Sequence, residues 1–166
     1  MTKVSHDSET PAHKQQVITA CAFIHQKVNG EEKVFSAKRA LTKKFLPGVW
    51  ELPGGHIDFG EAVVEGLKRE VLEELGVNIT VGDPFAAFSY ENKIKGSHSV
   101  EIIYFCSFKD PSATVKLKSE DHSECGWFTE SELERAFIAT KRKDDPEFQV
   151  VRKGFQLIQG GKPNFA

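Results

Sequence analysis

Glu70, Glu73 and Glu74 are spaced three and then one residue apart, in a stretch whose apolar residues repeat with helical period. At about 100° per residue they share one face of a helix predicted over Glu61–Leu75. Val64, Leu67, Val71 and Leu75 take the adjoining face, which must point into the core. Three carboxylates thus converge within one turn, beside buried surface. Local rules object to this. Like charges at i,i+4 repel by about 0.2–0.5 kcal/mol per pair. Carboxylates near a helix C-terminus oppose the macrodipole by about 0.3–1 kcal/mol each, and a mid-helix glycine such as Gly66 costs about 1 kcal/mol relative to alanine. A solvated acidic face, with Lys68 and Arg69 as surface partners, is the ordinary outcome for a Glu-rich helix. It accounts neither for the clustering at the core edge nor for the glycine. A hard divalent cation does: Mg²⁺ takes carboxylate oxygens and keeps waters and substrate phosphates in its other positions. Gly66 would then leave room for ions or substrate above the helix. Local rules broken together on one face mark a functional site.

Other elements must hold that helix in place. Residues 1–14 are polar, contain Pro11 and lack periodicity, and are expected to form a disordered lead-in; residues 15–166 are expected to form a single domain. Val17–Ile24 is β-branched and apolar throughout, as a strand buried on both faces would be. Asn29-Gly30 is a turn signal, and Lys33–Arg39 alternates as the returning hairpin strand. After Pro47-Gly48 come a short segment, Val49–Leu52, and then Pro53-Gly54-Gly55, a backbone suited to unusual dihedrals. Gly76 stands where a left-handed helix cap is wanted. Asn78–Val81, Phe85–Tyr90 and Val100–Phe108 read as strands, and Thr114–Leu117 as a short edge strand. Thr129 and Glu132 form a capping box for a second helix. A third helix is predicted over Pro146–Ile158, with Phe148, Val151, Phe155 and Ile158 on one face. The fold class is α+β, an α/β/α sandwich with a mixed sheet.

Composition narrows the function. The chain has 166 residues, 39% of them hydrophobic, and a formal charge of −2. That balance argues against a nucleic-acid polymer as partner, which normally calls for a basic excess. No run approaches the roughly 18 apolar residues of a membrane span. Cys21, Cys106 and Cys125 are widely spaced, without a CxxC pair, which disfavours a disulfide scaffold or a cysteine zinc site. The amino-terminal stretch has no apolar core for a secretory signal. A reducing, cytoplasmic setting is therefore expected.

The stretch Gly55–Val77 reads GHIDFGEAVVEGLKREVLEELGV. Gly55, Glu61, Arg69-Glu70-Val71, Glu73-Glu74 and Gly76-Val77 fill nine defining positions over twenty-three residues, and the whole resembles a complete Nudix box. The lead-in WELPGGHIDFGE and the downstream DHSECGWF resemble the flanks of that family, so the likeness in layout spans roughly Val17–Phe137.

The resemblance implies a Nudix α/β/α sandwich, with the box as strand, loop and helix. It implies that Glu70, Glu73 and Glu74 bind the metal, with the Gly55 carbonyl as a further ligand. Glu70 also matches the general base of some members, whereas others use a carboxylate from a distant loop. Arg69 matches a residue that orients the glutamates, and its i,i+4 spacing to Glu73 supports that role. Gly54, Glu61 and Gly76 are structural positions, with Glu61 at the helix start. Where many members carry a metal-reaching glutamate six residues before Trp127, this chain has Asp121, a shorter carboxylate; Glu120 and Glu124 are alternatives. Arg39 stands where related proteins often place a phosphate-binding arginine, while Lys43 and Lys44 read as plain surface charges. His56 and His122 adjoin motif positions and are candidates to touch substrate. Trp50, Phe85, Phe88 and Tyr90 are candidates for base stacking or for core.

The implied activity is Mg²⁺-dependent hydrolysis of a diphosphate linked to another moiety, usually a nucleoside, with Mn²⁺ as the alternative ion. The leading substrate reading is a nucleoside triphosphate, split to monophosphate and pyrophosphate. ADP-ribose, a nucleotide sugar or a dinucleoside polyphosphate is the alternative. Readings outside hydrolysis are a prenyl diphosphate isomerase, which needs a catalytic cysteine, and a non-catalytic nucleotide sensor. The partner is a small nucleotide derivative; a homodimer is neither required nor opposed by any sequence feature. Between Glu51 and Gly76 seven acids face two bases, a local charge of −5 that leaves +3 on the rest. Bound cations would reverse the sign of that segment for a polyanionic substrate.

Overall fold

The structure, a computed structural model, describes residues 14–140 and 144–161. Residues 1–13 of the expected lead-in lie outside them. Lys14 is described, and its N–H donates to the Gly96 carbonyl at 2.9 Å.

The chain runs β1 (Gln16–Val28), β2 (Glu31–Arg39), β3 (Trp50–Glu51), β4 (Gly54–His56), α1 (Val63–Leu75), β5 (Ile79–Asn92), β6 (Ser97–Phe108), β7 (His122–Phe128), α2 (Glu130–Ala139) and α3 (Pro146–Ile158). The mixed sheet has the order β3-β2-β1-β6-β5, with β4 pairing β1 and β7 pairing β2. β1 and β6 are parallel; the other pairs are antiparallel.

Period-two alternation sends β1 into two cores at once. Ala20, Ala22 and Ile24 pack with Leu67, Val71 and Leu75 of α1, whereas Cys21 and Phe23 pack with Leu133 and Phe137 of α2 and Phe148, Val151 and Phe155 of α3. Helices therefore cover both faces of the sheet, and the expected α/β/α sandwich is present. α3 has the predicted bounds, and the Thr129–Glu132 capping box is formed in both directions.

Three local expectations are corrected, and one strand is added to them. α1 begins at Val63, behind the cap residue Ala62, so Glu61 precedes the helix. A turn in which the Glu61 N–H donates to the Asp58 carbonyl at 3.0 Å holds it out. The two strands expected around Pro84 are one, β5, whose register slips on either side of Pro84; bulges absorb the residue that cannot donate to the ladder. Thr114–Leu117 joins no strand. Just beyond Gly76, Lys116 N–H donates to the Leu75 carbonyl at 2.8 Å and Lys118 N–H to the Glu74 carbonyl at 3.0 Å, so this segment satisfies carbonyls left over at the end of α1. Finally, residues 122–128 form a full strand, β7, along β2.

Candidate active site

β4 supplies the first wall. Gly54, Gly55 and His56 pair with Cys21, Ala20 and Thr19 of β1. Gly54 has φ +150°, and a Cβ there would drive into the Ala20 carbonyl. A Cβ on Gly55 would stand 2.5 Å from Glu70 Oε2, so the bare backbone lets the α1 carboxylate lie directly against β4. Gly76 closes α1 in the left-handed conformation, φ 67°, as expected.

α1 brings its three glutamates into unlike surroundings. Glu70 is 6% exposed, whereas the Glu73 side chain is 52% exposed. Glu74 accepts the Gly54 N–H at 3.0 Å. Burial pushes the Glu74 carboxyl well above the usual carboxylate range; the like charge of Glu51 adds to the rise and the Gly54 N–H opposes it.

Arg69 ties these parts together. Its Nε and Nη2 donate to the two oxygens of Glu61 at 2.8 and 2.9 Å, Nη1 to Glu70 Oε1 at 2.6 Å, and Nη2 also to the His56 carbonyl at 3.0 Å. The expected contact with Glu73 exists at 3.6 Å, but it is longer than those to Glu61 and Glu70. Glu61 also accepts the Asp58 N–H at 2.9 Å. Gly66 serves this clamp. A Cβ there would fall 2.6 Å from Ile57 Cδ1 and 2.7 Å from Glu61 Oε2. The missing side chain therefore makes room for protein, not for ions or substrate, which corrects the sequence reading.

The facing wall comes from β2, β3 and β7. Arg39 donates through Nη1 to Glu51 at 3.3 and 3.4 Å and through Nε to the Phe45 carbonyl at 3.0 Å. His122 lies in β7, buried, with Nε2 2.9 Å from Glu51 Oε1. Asp121 Oδ1 accepts from Lys43 at 2.7 Å, and Oδ2 lies 3.1 Å from Lys118 Nζ. Burial pushes the Asp121 carboxyl upward, but the two lysines outweigh it and hold it below its ordinary value. Lys43 is accordingly not a plain surface charge: its side chain is 19% exposed.

Both walls line one cavity of about 830 Å³, which Arg39, His56, Glu70, Glu73, Glu74 and Asp121 all reach. Phe88 and Tyr90 line it too. Trp50 and Phe85 pack instead against Phe128 and Phe105, at ring separations of 4.9 and 4.1 Å. Residues that sequence reasoning missed here include Glu51, Glu101 and Glu147. The last is buried and accepts the Leu52 N–H at 2.7 Å. Its one signal was a charge beside Phe148 at the start of an amphipathic helix.

A NUDIX domain family model matches residues 17–150. The chain belongs to the Nudix hydrolase family. An RNA pyrophosphohydrolase of Erythrobacter litoralis is 28% identical over 174 aligned positions, covering 95% of this chain and 99% of that protein. An isopentenyl-diphosphate Delta-isomerase of Salmonella arizonae is 31% identical, covering 82% and 72%. A MutT-like protein of Streptomyces ambofaciens is 33% identical over 86 residues, and the chain spans about half (51%) of its length. Among solved structures, a C. elegans Ap4A hydrolase superposes with a TM-score of 0.69 at 23% identity, covering 87% of this chain and 98% of that one.

Nudix hydrolases use divalent metal ions. Among the described residues no three His, Cys, Asp or Glu side chains stand grouped as a ready-made metal cluster; Arg69 holds Glu70 and the Gly54 N–H holds Glu74. The donor chemistry nonetheless fits a hard dication. The donors are carboxylate and backbone oxygens, and one carboxyl, Glu74, is raised by burial and neighbouring negative charge that a cation would relieve. No described helix is long and apolar enough to cross a membrane.

Proposed function

We propose that this Nudix protein is a Mg²⁺-dependent hydrolase of nucleoside diphosphate derivatives, its substrate a nucleoside triphosphate cleaved to monophosphate and pyrophosphate. The observation that carries the reading is the convergence of Glu70, Glu73 and Glu74 with the β4 glycines on one cavity, with Arg69 fixing Glu70 in place. Glu70, Glu73, Glu74 and the Gly55 carbonyl would hold the ion. Mg²⁺, or Mn²⁺ in its stead, supplies positive charge against the phosphate oxygens and makes water more acidic. Glu70 takes the proton of the water that attacks phosphorus, held at the correct angle by Arg69. Arg39, Lys43 and Lys118 line the cavity as cations for the remaining phosphate charge. Asp121, already shared by two lysines, orients them and does not ligate the metal.

The test is a panel of nucleoside triphosphates, ADP-ribose, nucleotide sugars and dinucleoside polyphosphates incubated with Mg²⁺, with products identified. Release of pyrophosphate and monophosphate from the triphosphates is the expected result, and turnover confined to another class reassigns the substrate.

One observation favours a second reading. Cys21 lines the cavity, and a relative at 31% identity bears the name of a prenyl diphosphate isomerase. Burial, and next the Glu101 carboxylate, push the Cys21 thiol well up, so it stays protonated. Conversion of isopentenyl diphosphate by the protein, abolished in Cys21→Ala, would establish that reading in place of hydrolysis.

A further inference from the structure

The cavity extends beyond the glutamates onto the sheet. Four strands place one row of paired residues there. Phe88 of β5 lies opposite Glu101 of β6, Glu101 beside Thr19 of β1, and Thr19 opposite His56 of β4. Paired residues point to the same side, and all four line the cavity. In the next row Tyr90 pairs with Ser99. Glu101 is 7% exposed, on the cavity floor, and Thr19 Oγ1 donates to its Oε2 at 3.3 Å. Phe45, Phe88 and Tyr90 form an aromatic wall of the same cavity. Tyr90 stacks with Phe45 at 6.0 Å and an interplanar angle of 9°, and Phe88 lies 6.1 Å from Tyr90.

A carboxylate set in an aromatic wall suits a flat heterocycle that offers it N–H groups. An ionised carboxylate has acceptors only, about four lone-pair sites, and Thr19 is one of the donors it accepts from. Among the common bases, guanine alone presents two adjacent donors, the ring N1–H and the exocyclic amine. Adenine and cytosine set a ring acceptor beside their amine, and uracil flanks its one N–H with two carbonyls, so each would turn a lone pair toward the carboxylate. That mismatch rejects as effectively as the match attracts.

The spacing agrees. From Glu101 on β6 to β4 is two strand separations, roughly 10 Å, about the reach from the edge of a base to its first phosphates.

We propose that Glu101 selects a guanine-type base, with Tyr90, Phe88 and Phe45 as the stacking wall, so that the substrates are guanine nucleotides. This rests on the nucleotide-hydrolase reading above. The experiment separates the two. Guanosine, inosine, adenosine and uridine monophosphates are titrated calorimetrically into the full chain with Mg²⁺, and hydrolysis of the matching triphosphates is measured in parallel. GMP should bind about ten- to a hundredfold more tightly than AMP or UMP. IMP, which lacks the exocyclic amine, should fall between. Glu101→Gln should bring the GMP to IMP ratio close to one. Equal binding of all bases, a preference for AMP or UMP, or a guanine preference that survives in Glu101→Gln overturns the inference. The wild-type series needs no variant and decides even where Glu101→Gln fails to fold. Hydrolysis without base preference leaves the hydrolase reading standing alone. Guanine-selective binding without hydrolysis of any triphosphate leaves the base site standing and overturns the triphosphate reading.

Discussion

Arg69 and Glu61, eight residues apart, meet as fork on fork, with Nε on Oε1 at 2.8 Å and Nη2 on Oε2 at 2.9 Å. The pair bridges the turn before α1 to the middle of the helix. The same guanidinium reaches Glu70, so the turn and the candidate base are positioned by one side chain. Lysine would keep the charge and lose the fork. Arg69→Lys is therefore expected to lower kcat about ten- to a hundredfold, with a smaller effect on KM and a fall in Tm of roughly 3–6 °C. Steady-state kinetics beside thermal melts check this; unchanged kcat would remove Arg69 from the mechanism.

Glu73 is the most open of the three glutamates. Glu73→Gln should change stability by no more than about 0.5 kcal/mol while cutting activity by orders of magnitude. Undiminished turnover would sink its role as a metal ligand. Calorimetric titration with Mg²⁺ should show the matching loss of affinity.

Gly66→Ala sets two effects against each other. Helix propensity favours alanine by about 1 kcal/mol. Against this, the new Cβ meets Ile57 and the Glu61 carboxylate, which Arg69 and the Asp58 N–H already pin. A charge-assisted hydrogen bond contributes about 1.5–3 kcal/mol, so displacement should win. The expected outcome is net destabilisation in urea denaturation, with reduced activity; a more stable, fully active variant would show that Glu61 moves freely.

Asp121 accepts from Lys43 and is paired with Lys118. On the proposal that the carboxylate orients the lysines and does not ligate the metal, Asp121→Asn should lower kcat/KM less than tenfold. A loss of several hundredfold, accompanied by weaker Mg²⁺ binding, would restore it as a ligand.

The α2 capping box offers a pH test away from the cavity. Glu132 accepts the Thr129 N–H at 2.8 Å, and this bond holds its carboxyl below the ordinary value. A depressed folded value means that the stabilisation is fully present above the unfolded pKa of about 4.3 and is lost as pH falls through the folded value. Wild type should therefore be more stable than Glu132→Gln at pH 7, with the difference in Tm shrinking below about pH 4. A difference independent of pH would mean that the charge plays no part.

What the sequence by itself determined was local. Glu70, Glu73 and Glu74 share a face because 3.6 residues make a turn; Gly76 ends the helix because its backbone must turn left-handed; Thr129 and Glu132 cap α2 within three residues. Periodicity and caps are short-range physics, so α3 and most of the strands were legible from spacing alone. Only the tertiary structure decided what those residues meet. Lys43 lies 78 residues from Asp121, and Glu51 lies 71 from His122; each pair exists because β2 and its flanking loop run beside β7 and the segment before it. Thr114–Leu117 reads as a strand by composition, yet it lies where the end of α1 leaves carbonyls unsatisfied. Gly66 is bare for the sake of a carboxylate that a turn outside the helix delivers. Glu101 is one more alternating residue in β6 until the parallel register with β1 sets it beside Thr19 on the cavity floor. Such pairings depend on strand register across long loops, which no local window contains.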